Sequence, residues 1–452
     1  MSNRKTYWYI LCFTCLVSIR CSAIDAEIQT PAKISANKSL LVIAPKEFRE
    51  SLTDYISHKQ QQLSVQVMDL ETILEESDGR DDPERLKRYL YIFWKEQGMG
   101  YVLLVGDADI FPVRYMVLDR ITPAAFDFAF YPSDLYYADL ARKDGSFDDW
   151  NAQKESFHSY YYGEVQGEKN KEGPINLDAI DYIPEIAVGR WPVSTIEEVK
   201  TAATKTMVYE NNILAQTESA SPCIGFVNVA GWVDARAAMD TMSSYLSPDW
   251  TVEKRYFSDN NESYKTPPPT ADEVVSLMNK GIGVLCHAGH GLNLLWEGSF
   301  SLENLRQVQN ANHLPIVFSA ACYTARFATL PPYEPYIDID GTEHKGTDQG
   351  EVFLEPPLPP APYQKGQFNP PGLGELLLRS GPNGAVAYIG CNTGGQPCAL
   401  TLMDGFVGGL HQQRLGDCWN YAITQYYTRE RLAELKPTAS WYPPSIFFQG
   451  MK

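Results

Sequence analysis

The sequence is poor in basic residues and lacks the motifs of several common hydrolases. Lys and Arg number 38 against 56 Asp and Glu, which gives a formal net charge of −18. Because no basic block is available to meet a phosphate backbone, we expect no nucleic-acid partner. HExxH, GxSxG, P-loop and paired CxxC sequences are also missing. Their absence disfavours a zinc protease, an α/β-hydrolase and a nucleotide hydrolase.

Cysteine is sparse, and this limits the possible role of disulfides. The chain has nine cysteines in 452 residues, and three of them lie within the first 21 positions. The six that remain do not make a disulfide-dense scaffold. Cys391 and Cys398 could form a bridge, although spacing alone does not fix connectivity. Cys223 and Cys286 lie in apolar runs, where we expect inert core residues.

Long apolar runs are missing as well, so we expect no stable membrane span. The apolar stretch at 7–19 is too short to cross a bilayer comfortably, and a small-residue cleavage site follows it. We therefore predict a signal peptide at 1–23 and export to the periplasm, the cell surface or the extracellular space. A lipid anchor at Cys21 is the alternative, which Arg20 directly before it disfavours.

Apolar runs that alternate with helical segments predict an α/β fold. In the first half, predicted strands at 40–44, 65–68 and 101–105 are separated by predicted helices at 46–61 and 82–97. A β-α-β-α-β order implies a parallel sheet with right-handed crossovers. Capping boxes at Ser194-Thr195-Ile196-Glu197 and Thr270-Ala271-Asp272-Glu273 predict two further helix starts.

The second half repeats this alternation and carries a proline-rich stretch. A second α/β unit begins near 223, and a late strand is predicted at 384–389. We predict a linker at 24–38, an N-terminal α/β subdomain at 39–215 and a second, catalytic α/β subdomain at 216–452. Ten prolines between 329 and 372 exclude a helix or central strand there. This insertion is either a surface loop or a lid that shapes specificity.

A histidine and a cysteine each follow a short strand that is apolar on both faces. The apolar run at 281–286 leads to His290, and the run at 314–318 leads to Cys322. The 32 positions between them (322 − 290) allow a crossover helix near 302–308 and a neighbouring parallel strand. A thiol and an imidazole at adjacent strand ends could cleave peptide bonds. The alternative is a buried cysteine with a structural histidine.

Two further features bear on this pair. The backbone N–H groups of Gly291 and Cys322 could together hold a tetrahedral oxyanion. His287 is a rival for His290, but it lies earlier, within the strand, and we expect it to pack or support.

Several stretches, taken together, resemble the gingipain-type cysteine peptidases, a bacterial family with a caspase-like α/β fold. The resemblance runs from about residue 40 to 427. It is carried by the stretches at 101–109, 133–140, 186–193 and 384–390, and by Gly289-His290-Gly291 and Ala321-Cys322. It implies two adjacent α/β subdomains with mainly parallel sheets flanked by helices.

The resemblance also implies chemistry. It makes Cys322 the nucleophile and His290 the catalytic histidine of an endopeptidase that acts on protein or peptide substrates through an acyl-enzyme. It implies no cofactor for catalysis. The acidic residue that assists the histidine in this family has no clean counterpart, and Asn228 stands nearest. A catalytically silent member that binds peptides in the same cleft is therefore the alternative. A surface or adhesion protein is disfavoured, because we find no repeats.

Specificity and metal binding are the last expectations from the resemblance. Arginine-specific members carry a carboxylate in the pocket for the residue before the cleaved bond, and Asp234 aligns there. A carboxylate at the pocket base would pair with Arg or Lys; an exposed helix-start Asp is the alternative. Family members bind calcium, and a cluster of carboxylates offers the oxygen ligands that calcium takes. The predicted calcium ligands are Asp134, Asp139, Asp144 and Asp148. A solvated acidic loop is the other interpretation.

Overall fold

The structure is a computed structural model that describes most of the chain after residue 37. The described residues are 38–117, 130–151, 162, 180, 182–215, 222–229, 234–258, 265–347, 358–395 and 398–430. They belong to one compact unit, Asn37–Lys452. The predicted signal peptide lies outside the described residues. Within the described part of the chain, no helix combines the length and apolarity needed to cross a membrane.

The first half builds a four-stranded parallel sheet. Its order is β2-β1-β3-β6, with β1 and β3 in the centre. All six residues of β1 are buried, as expected for a parallel strand covered on both faces. The elements of this half are β1 (Ser39–Ala44), α1 (Thr53–Lys59), β2 (Val65–Asp69), α2 (Leu70–Glu76), α3 (Asp82–Gln97), β3 (Met99–Val105), β4 (Tyr115–Val117), β5 (Phe130–Pro132), β6 (Ala187–Trp191) and α4 (Ile196–Ala215).

The predicted helix at 46–61 is wrong in its first half. Two 3₁₀ turns, Lys46–Phe48 and Glu50–Leu52, precede the short α1. The Lys46 N–H donates to the carboxylate of Glu71 on α2 at 3.1 Å. A side chain of another helix therefore satisfies a backbone N–H at the start of this segment. The predicted α3 is confirmed: it begins after the Asp81 cap and ends at Gly98, whose φ of 67° terminates the helix.

One capping box lies one residue later than predicted. The Glu198 N–H donates to Thr195 Oγ1 at 3.3 Å, and the Glu198 carboxylate accepts the Thr195 N–H at 3.2 Å. The box at α4 is therefore Thr195 with Glu198. The helix start predicted at Thr270 is confirmed, because its hydroxyl accepts the Glu273 N–H at 3.4 Å and caps the helix Ala271–Asn279.

The second half builds a five-stranded parallel sheet that carries the candidate site. Its order is β15-β12-β9-β7-β8. The parallel sheets with flanking helices confirm the predicted α/β fold. The elements are β7 (Cys223–Asn228), α5 (Asp234–Ser244), β8 (Thr251–Tyr256), α6 (Ala271–Asn279), β9 (Val284–Ala288), β10 (Gly291–Leu292), β11 (Leu295–Trp296), β12 (Ile316–Ala320), β13 (Tyr336–Ile337), β14 (Glu343–His344), α7 (Leu373–Arg379), β15 (Ala387–Gly390), α8 (Ala399–Gly408) and α9 (Leu415–Arg429).

The connection from β9 to β12 contains no α-helix, contrary to the prediction. The β10–β11 hairpin follows His290 directly, and a 3₁₀ helix, Leu302–Gln307, stands where the crossover helix was expected. Val308 and Phe300 from this connection are buried in the core that covers one face of the second sheet. The connection therefore still covers the sheet, as a crossover must.

A buried lysine joins the helices that flank the two sheets. Lys205 on α4 donates from Nζ to the backbone oxygens of Leu377 (2.7 Å) and Leu378 (3.1 Å) at the end of α7. It also donates to the Asn383 oxygen at 2.6 Å. Two of these acceptors lie in the last turn of α7, where carbonyl groups lack helical partners, and the Leu377 oxygen also accepts the Ala385 N–H at 2.9 Å. The predicted division of the chain after residue 215 stays a prediction.

The described part of the proline-rich insertion borders both halves. Gln364 donates its backbone N–H to the Ala108 oxygen at 2.9 Å, next to the first sheet. At its other end, the Pro370 oxygen accepts from Asn293 Nδ2 at 2.9 Å, in the β10–β11 hairpin. Residues 358–372 thus extend from the first sheet to the hairpin that follows His290.

Candidate active site

The three predicted polar residues stand at the ends of three neighbouring strands. Ala320 of β12 is paired with Ala288 of β9. Cys322 lies two residues beyond Ala320 (322 − 320), and His290 lies two beyond Ala288 (290 − 288). On the other side of β9, Ala288 is paired with Asn228, the last residue of β7. The carboxyl edge of the sheet therefore presents them in the order Cys322, His290, Asn228.

The glycines on either side of His290 are required by close packing. A Cβ at Gly289 would lie 1.8 Å from Cγ2 of Val229, which follows β7. A Cβ at Gly291 would lie 2.8 Å from the Ala321 Cβ and 3.0 Å from the Cys322 oxygen. The backbone on either side of His290 is thus packed tightly between the end of β7 and the turn that carries Cys322. Only glycine permits this approach on both sides.

Cys322 is a partly buried thiol with a backbone donor beside it. Burial raises the pKa of this thiol, and a hydrogen bond from a backbone amide opposes that shift. The donor is the Gly395 N–H, 3.1 Å from Sγ. The next residue, Tyr323, adopts a φ of 62°, which turns the chain sharply after the cysteine. A thiol whose pKa is raised by burial needs a base before it can act as a nucleophile.

His290 is exposed and lies between β9 and the β10–β11 hairpin. Its backbone oxygen accepts the Glu297 N–H at 3.0 Å, which anchors the residue to the end of the hairpin. The imidazole is therefore carried on a fixed backbone but remains open to solvent and substrate. That combination suits a group that must exchange protons.

His287 has a different environment. It is fully buried in β9, its ring is stacked on Trp296 with centroids 4.2 Å apart, and Ser319 Oγ lies 3.0 Å from Nδ1. Burial lowers the pKa of His287 to about 3. The imidazole is therefore neutral at physiological pH. It belongs to a packed layer beneath the strand ends.

Asn228 and Asp234 were the other residues predicted for this site. Asn228 is fully buried, and its Nδ2 donates to the Ala288 oxygen at 3.2 Å, so it braces the end of β9. Asp234 is the first residue of α5, and its side chain lies outside the described part of the molecule.

The four carboxylates predicted to bind calcium do not form one ligand set. Asp134 is paired with Arg190 at 2.7 Å, and Asp139 accepts from the Trp150 indole at 3.1 Å. Asp148 accepts the backbone N–H of Trp150 at 3.0 Å. The fourth, Asp144, is exposed. Among the described residues, no group of three or more His, Cys, Asp or Glu could hold a metal ion. Calcium stays a prediction, which a calcium titration monitored by thermal unfolding would check.

Among the residues that the structure describes, no cysteine forms a disulfide. The six described cysteines are free thiols, so the bridge considered between Cys391 and Cys398 is not formed. Cys286 is buried in the core as expected, and Cys223 is half-buried at the start of β7.

Two glycines were missed by the sequence analysis as parts of the site. Gly289 was treated only as part of a motif, although its packing against Val229 fixes the His290 turn. Gly395 was not considered at all. It lies 73 positions after Cys322 (395 − 322), so no local pattern relates the two.

The sequence of this chain is similar to the sequences of known peptidases. The model of peptidase family C25 matches residues 33–450. Gingipain R2 of Porphyromonas gingivalis is 23% identical over 308 residues, which cover 67% of this chain and 34% of the relative. Gingipain R1 of the same organism is 22% identical over 310 residues, covering 67% and 26%. The chain thus spans about a third or less of the length of these curated relatives.

Solved structures show the same fold. A crystal structure of the Arg-specific cysteine proteinase gingipain R superposes with a TM-score of 0.58 and 16% identity, over 93% of this chain and 77% of that one. A complex of the pro- and mature domains of Porphyromonas gingivalis RgpB gives a TM-score of 0.55 and 17% identity, over 90% and 79%. This similarity confirms the predicted caspase-like architecture. Because the family model covers nearly all of the chain, the protein belongs to peptidase family C25, the gingipain-type cysteine peptidases.

Proposed function

We propose that this chain is a cysteine endopeptidase in which Cys322 is the nucleophile and His290 is the general base and acid. One observation carries the proposal. Ala320 and Ala288 are paired on adjacent parallel strands, and Cys322 and His290 each follow two positions later in the sequence. Membership of a cysteine peptidase family supports a hydrolase that acts on proteins or peptides.

The proposed reaction follows from the positions of these groups. His290 takes the Cys322 proton, and the sulfur attacks the substrate carbonyl carbon. An S–C bond forms, and the carbonyl π electrons move to oxygen. The N–H groups of Gly291 and Cys322 would hold this oxyanion. His290 then donates its proton to the leaving amine, the C–N bond breaks, and water later releases the acyl group from sulfur.

The environment of Cys322 makes the base necessary. Burial raises the pKa of the thiol, so little thiolate exists at neutral pH without assistance. Asn228 would support the histidine through the backbone of β9, because its Nδ2 contacts the Ala288 oxygen at 3.2 Å. In this proposal, Asn228 takes the place of the acidic residue that assists the histidine in this family. It positions the histidine and carries no charge.

We also propose a preference for Arg or Lys before the cleaved bond. Its support is Asp234 at the start of α5, which follows β7 in the sheet that carries the site, and the similarity to an Arg-specific cysteine proteinase. A charge-assisted hydrogen bond to a partly buried carboxylate contributes roughly 1.5–3 kcal/mol. Asp234→Asn should therefore lower kcat/KM for arginyl substrates about ten- to a hundredfold and leave apolar substrates unaffected. A peptide library that favours apolar or acidic residues at this position would reject the preference and direct attention to the proline-rich insertion at 329–372 as the pocket wall.

Export through a signal peptide at 1–23 completes the proposal. Its support is the sequence pattern alone. N-terminal sequencing of the protein recovered outside the cytoplasm tests it, and a mature terminus that begins with lipidated Cys21 would instead identify an anchored form.

The catalytic assignment is tested by turnover of a casein or peptide substrate. Cys322→Ala should abolish cleavage while the thermal unfolding curve stays close to that of the wild type. Cys223→Ala is the matched control, because it removes a half-buried free thiol from the opposite end of a strand in the same sheet. Unchanged cleavage by Cys322→Ala would exclude the mechanism. Peptide binding by the wild type without any turnover would favour the catalytically silent alternative.

A further inference from the structure

A loop that follows β15 lies along the turn that carries Cys322. The Tyr323 N–H donates to the Thr393 oxygen at 2.9 Å, and the Ala325 N–H donates to the Cys391 oxygen at 3.0 Å. We call residues 391–395 the 391–395 loop. The two backbone bonds hold it against the turn, so its last residue has a defined position beside the cysteine.

Gly395 places a hydrogen-bond donor on the sulfur atom. Its backbone N–H is 3.1 Å from Cys322 Sγ, whereas its carbonyl oxygen is 3.8 Å away. The amide hydrogen carries a partial positive charge and the oxygen a partial negative one. Because the Gly395 N–H is closer to the sulfur than the Gly395 carbonyl oxygen is, the backbone of this residue favours a negatively charged sulfur over a neutral thiol.

A side chain at position 395 would be tightly packed against the turn that carries Cys322. A Cβ there would lie 3.2 Å from the Cys322 nitrogen and 3.3 Å from Cys391 Sγ. A Cβ at the preceding Gly394 would meet no atom within 4 Å. The constraint is thus specific to Gly395, the residue that contacts the nucleophile.

We propose that the backbone amide of Gly395 is a catalytic hydrogen-bond donor that stabilises the thiolate of Cys322 before it attacks. The inference rests on the proposed function, because it assumes that Cys322 is the nucleophile. When His290 removes the thiol proton, the sulfur keeps the electron pair and the Gly395 N–H shares its charge. When the S–C bond forms, the sulfur loses that charge and the hydrogen bond weakens. The donor therefore acts on the amount of thiolate and is separate from the amides that would hold the oxyanion.

Removal of this N–H should raise the pKa of the Cys322 thiol. Gly395→Pro deletes the donor, and loss of a hydrogen bond to a charged group predicts a rise of about one to two units. The rate of iodoacetamide alkylation of Cys322 as a function of pH measures this pKa. Gly394→Ala is the matched control and should keep the wild-type midpoint. Gly395→Ala keeps the N–H, so its midpoint should move much less than that of Gly395→Pro.

The alkylation profile carries a signature that a merely disturbed structure would not produce. The nucleophilicity of a thiolate rises with its pKa, with a Brønsted slope of about 0.4–0.5. For each unit of increase, Gly395→Pro should react about threefold more slowly than the wild type below the midpoint and about threefold faster above it. Crossing profiles support the proposal. Coincident midpoints for Gly395→Pro and the wild type would overturn it.

A second measurement does not require the proline variant to fold. In protein labelled with ¹⁵N-glycine, the Gly395 amide signal is assigned by its loss in Gly395→Ala. This signal should shift with pH at the midpoint of the alkylation profile, and the shift should be missing in Cys322→Ala. If the chemical shift of the Gly395 amide does not change when the thiol titrates, the hydrogen bond is refuted. Both measurements follow the thiol itself, so a protein that shows this coupling but cleaves nothing would contradict the proposed function and leave the contact standing.

Discussion

Gly289 is packed tightly against Val229. Gly289→Ala should therefore destabilise the fold, and a smaller side chain at position 229 should restore part of the lost stability. An ideal Cβ at this position would lie 1.8 Å from Val229 Cγ2, and Val229 is only 2% exposed, so neither group can move into solvent. Overpacking of this kind typically costs about 1–3 kcal/mol. Replacing glycine by alanine also restricts the unfolded chain, which stabilises the fold by only about 0.4–1 kcal/mol. The clash therefore exceeds the entropic gain, and Gly289→Ala should be destabilised.

The partner of the clash supplies the control. Val229→Ala removes two methyl groups and should cost roughly 2 kcal/mol by itself. In the double variant, the new Cβ at 289 occupies part of the space that Val229 leaves. Urea unfolding of the four proteins should therefore give a coupling free energy of at least about 1 kcal/mol in favour of the double variant. Peptide cleavage should fall in Gly289→Ala, because the His290 turn is displaced, and recover in the double variant. Additive free energies, or a single variant that is as stable and active as the wild type, would refute this account of the turn.

Two further predictions concern buried groups. The pKa of His287 is lowered by burial to about 3, whereas an unfolded histidine titrates near 6.5. Between these values the unfolded chain binds more protons, so stability should fall by up to about 1.4 kcal/mol per unit as the pH drops, and His287→Gln should lack this slope in urea unfolding. Lys205→Ala removes three hydrogen bonds from a buried ammonium group, although Leu377 keeps the Ala385 N–H, and should lower the unfolding free energy by about 2–4 kcal/mol. Lys200→Ala, exposed on the same helix, should change it by less than about 0.5 kcal/mol. An equal effect of both lysines would exclude a role for the buried one in joining the helices.

The sequence predicted the parts of the site that depend on local pattern. The apolar runs before His290 and Cys322 are short and uninterrupted, which is typical of parallel strands, and the structure has them as β9 and β12. Because such strands end at one edge, the residues that follow them meet there. The helix at Asp82–Gln97 was also predictable, since a proline in its first turn and a glycine directly after its end mark its limits.

The remaining features depend on contacts between residues distant in sequence. The N–H of Lys46 is bonded to Glu71, which lies 25 positions away, and the predicted helix at 46–61 begins with 3₁₀ turns instead. The role of Gly289 depends on Val229, and that of Gly395 depends on Cys322. A glycine in a sequence shows that the backbone has freedom, but it does not show which atom comes close. These contacts required the three-dimensional arrangement.

The central claim is that Cys322 is a nucleophile activated by His290. The most direct measurement is the rate at which an arginyl chloromethyl ketone modifies the protein, with the modified residue located by peptide mapping. We expect a single adduct on Cys322, with the rate lowered by orders of magnitude in His290→Ala and unchanged in His313→Ala, which removes an exposed histidine outside the site. An adduct on another residue, or equal rates for His290→Ala and the wild type, would contradict the account.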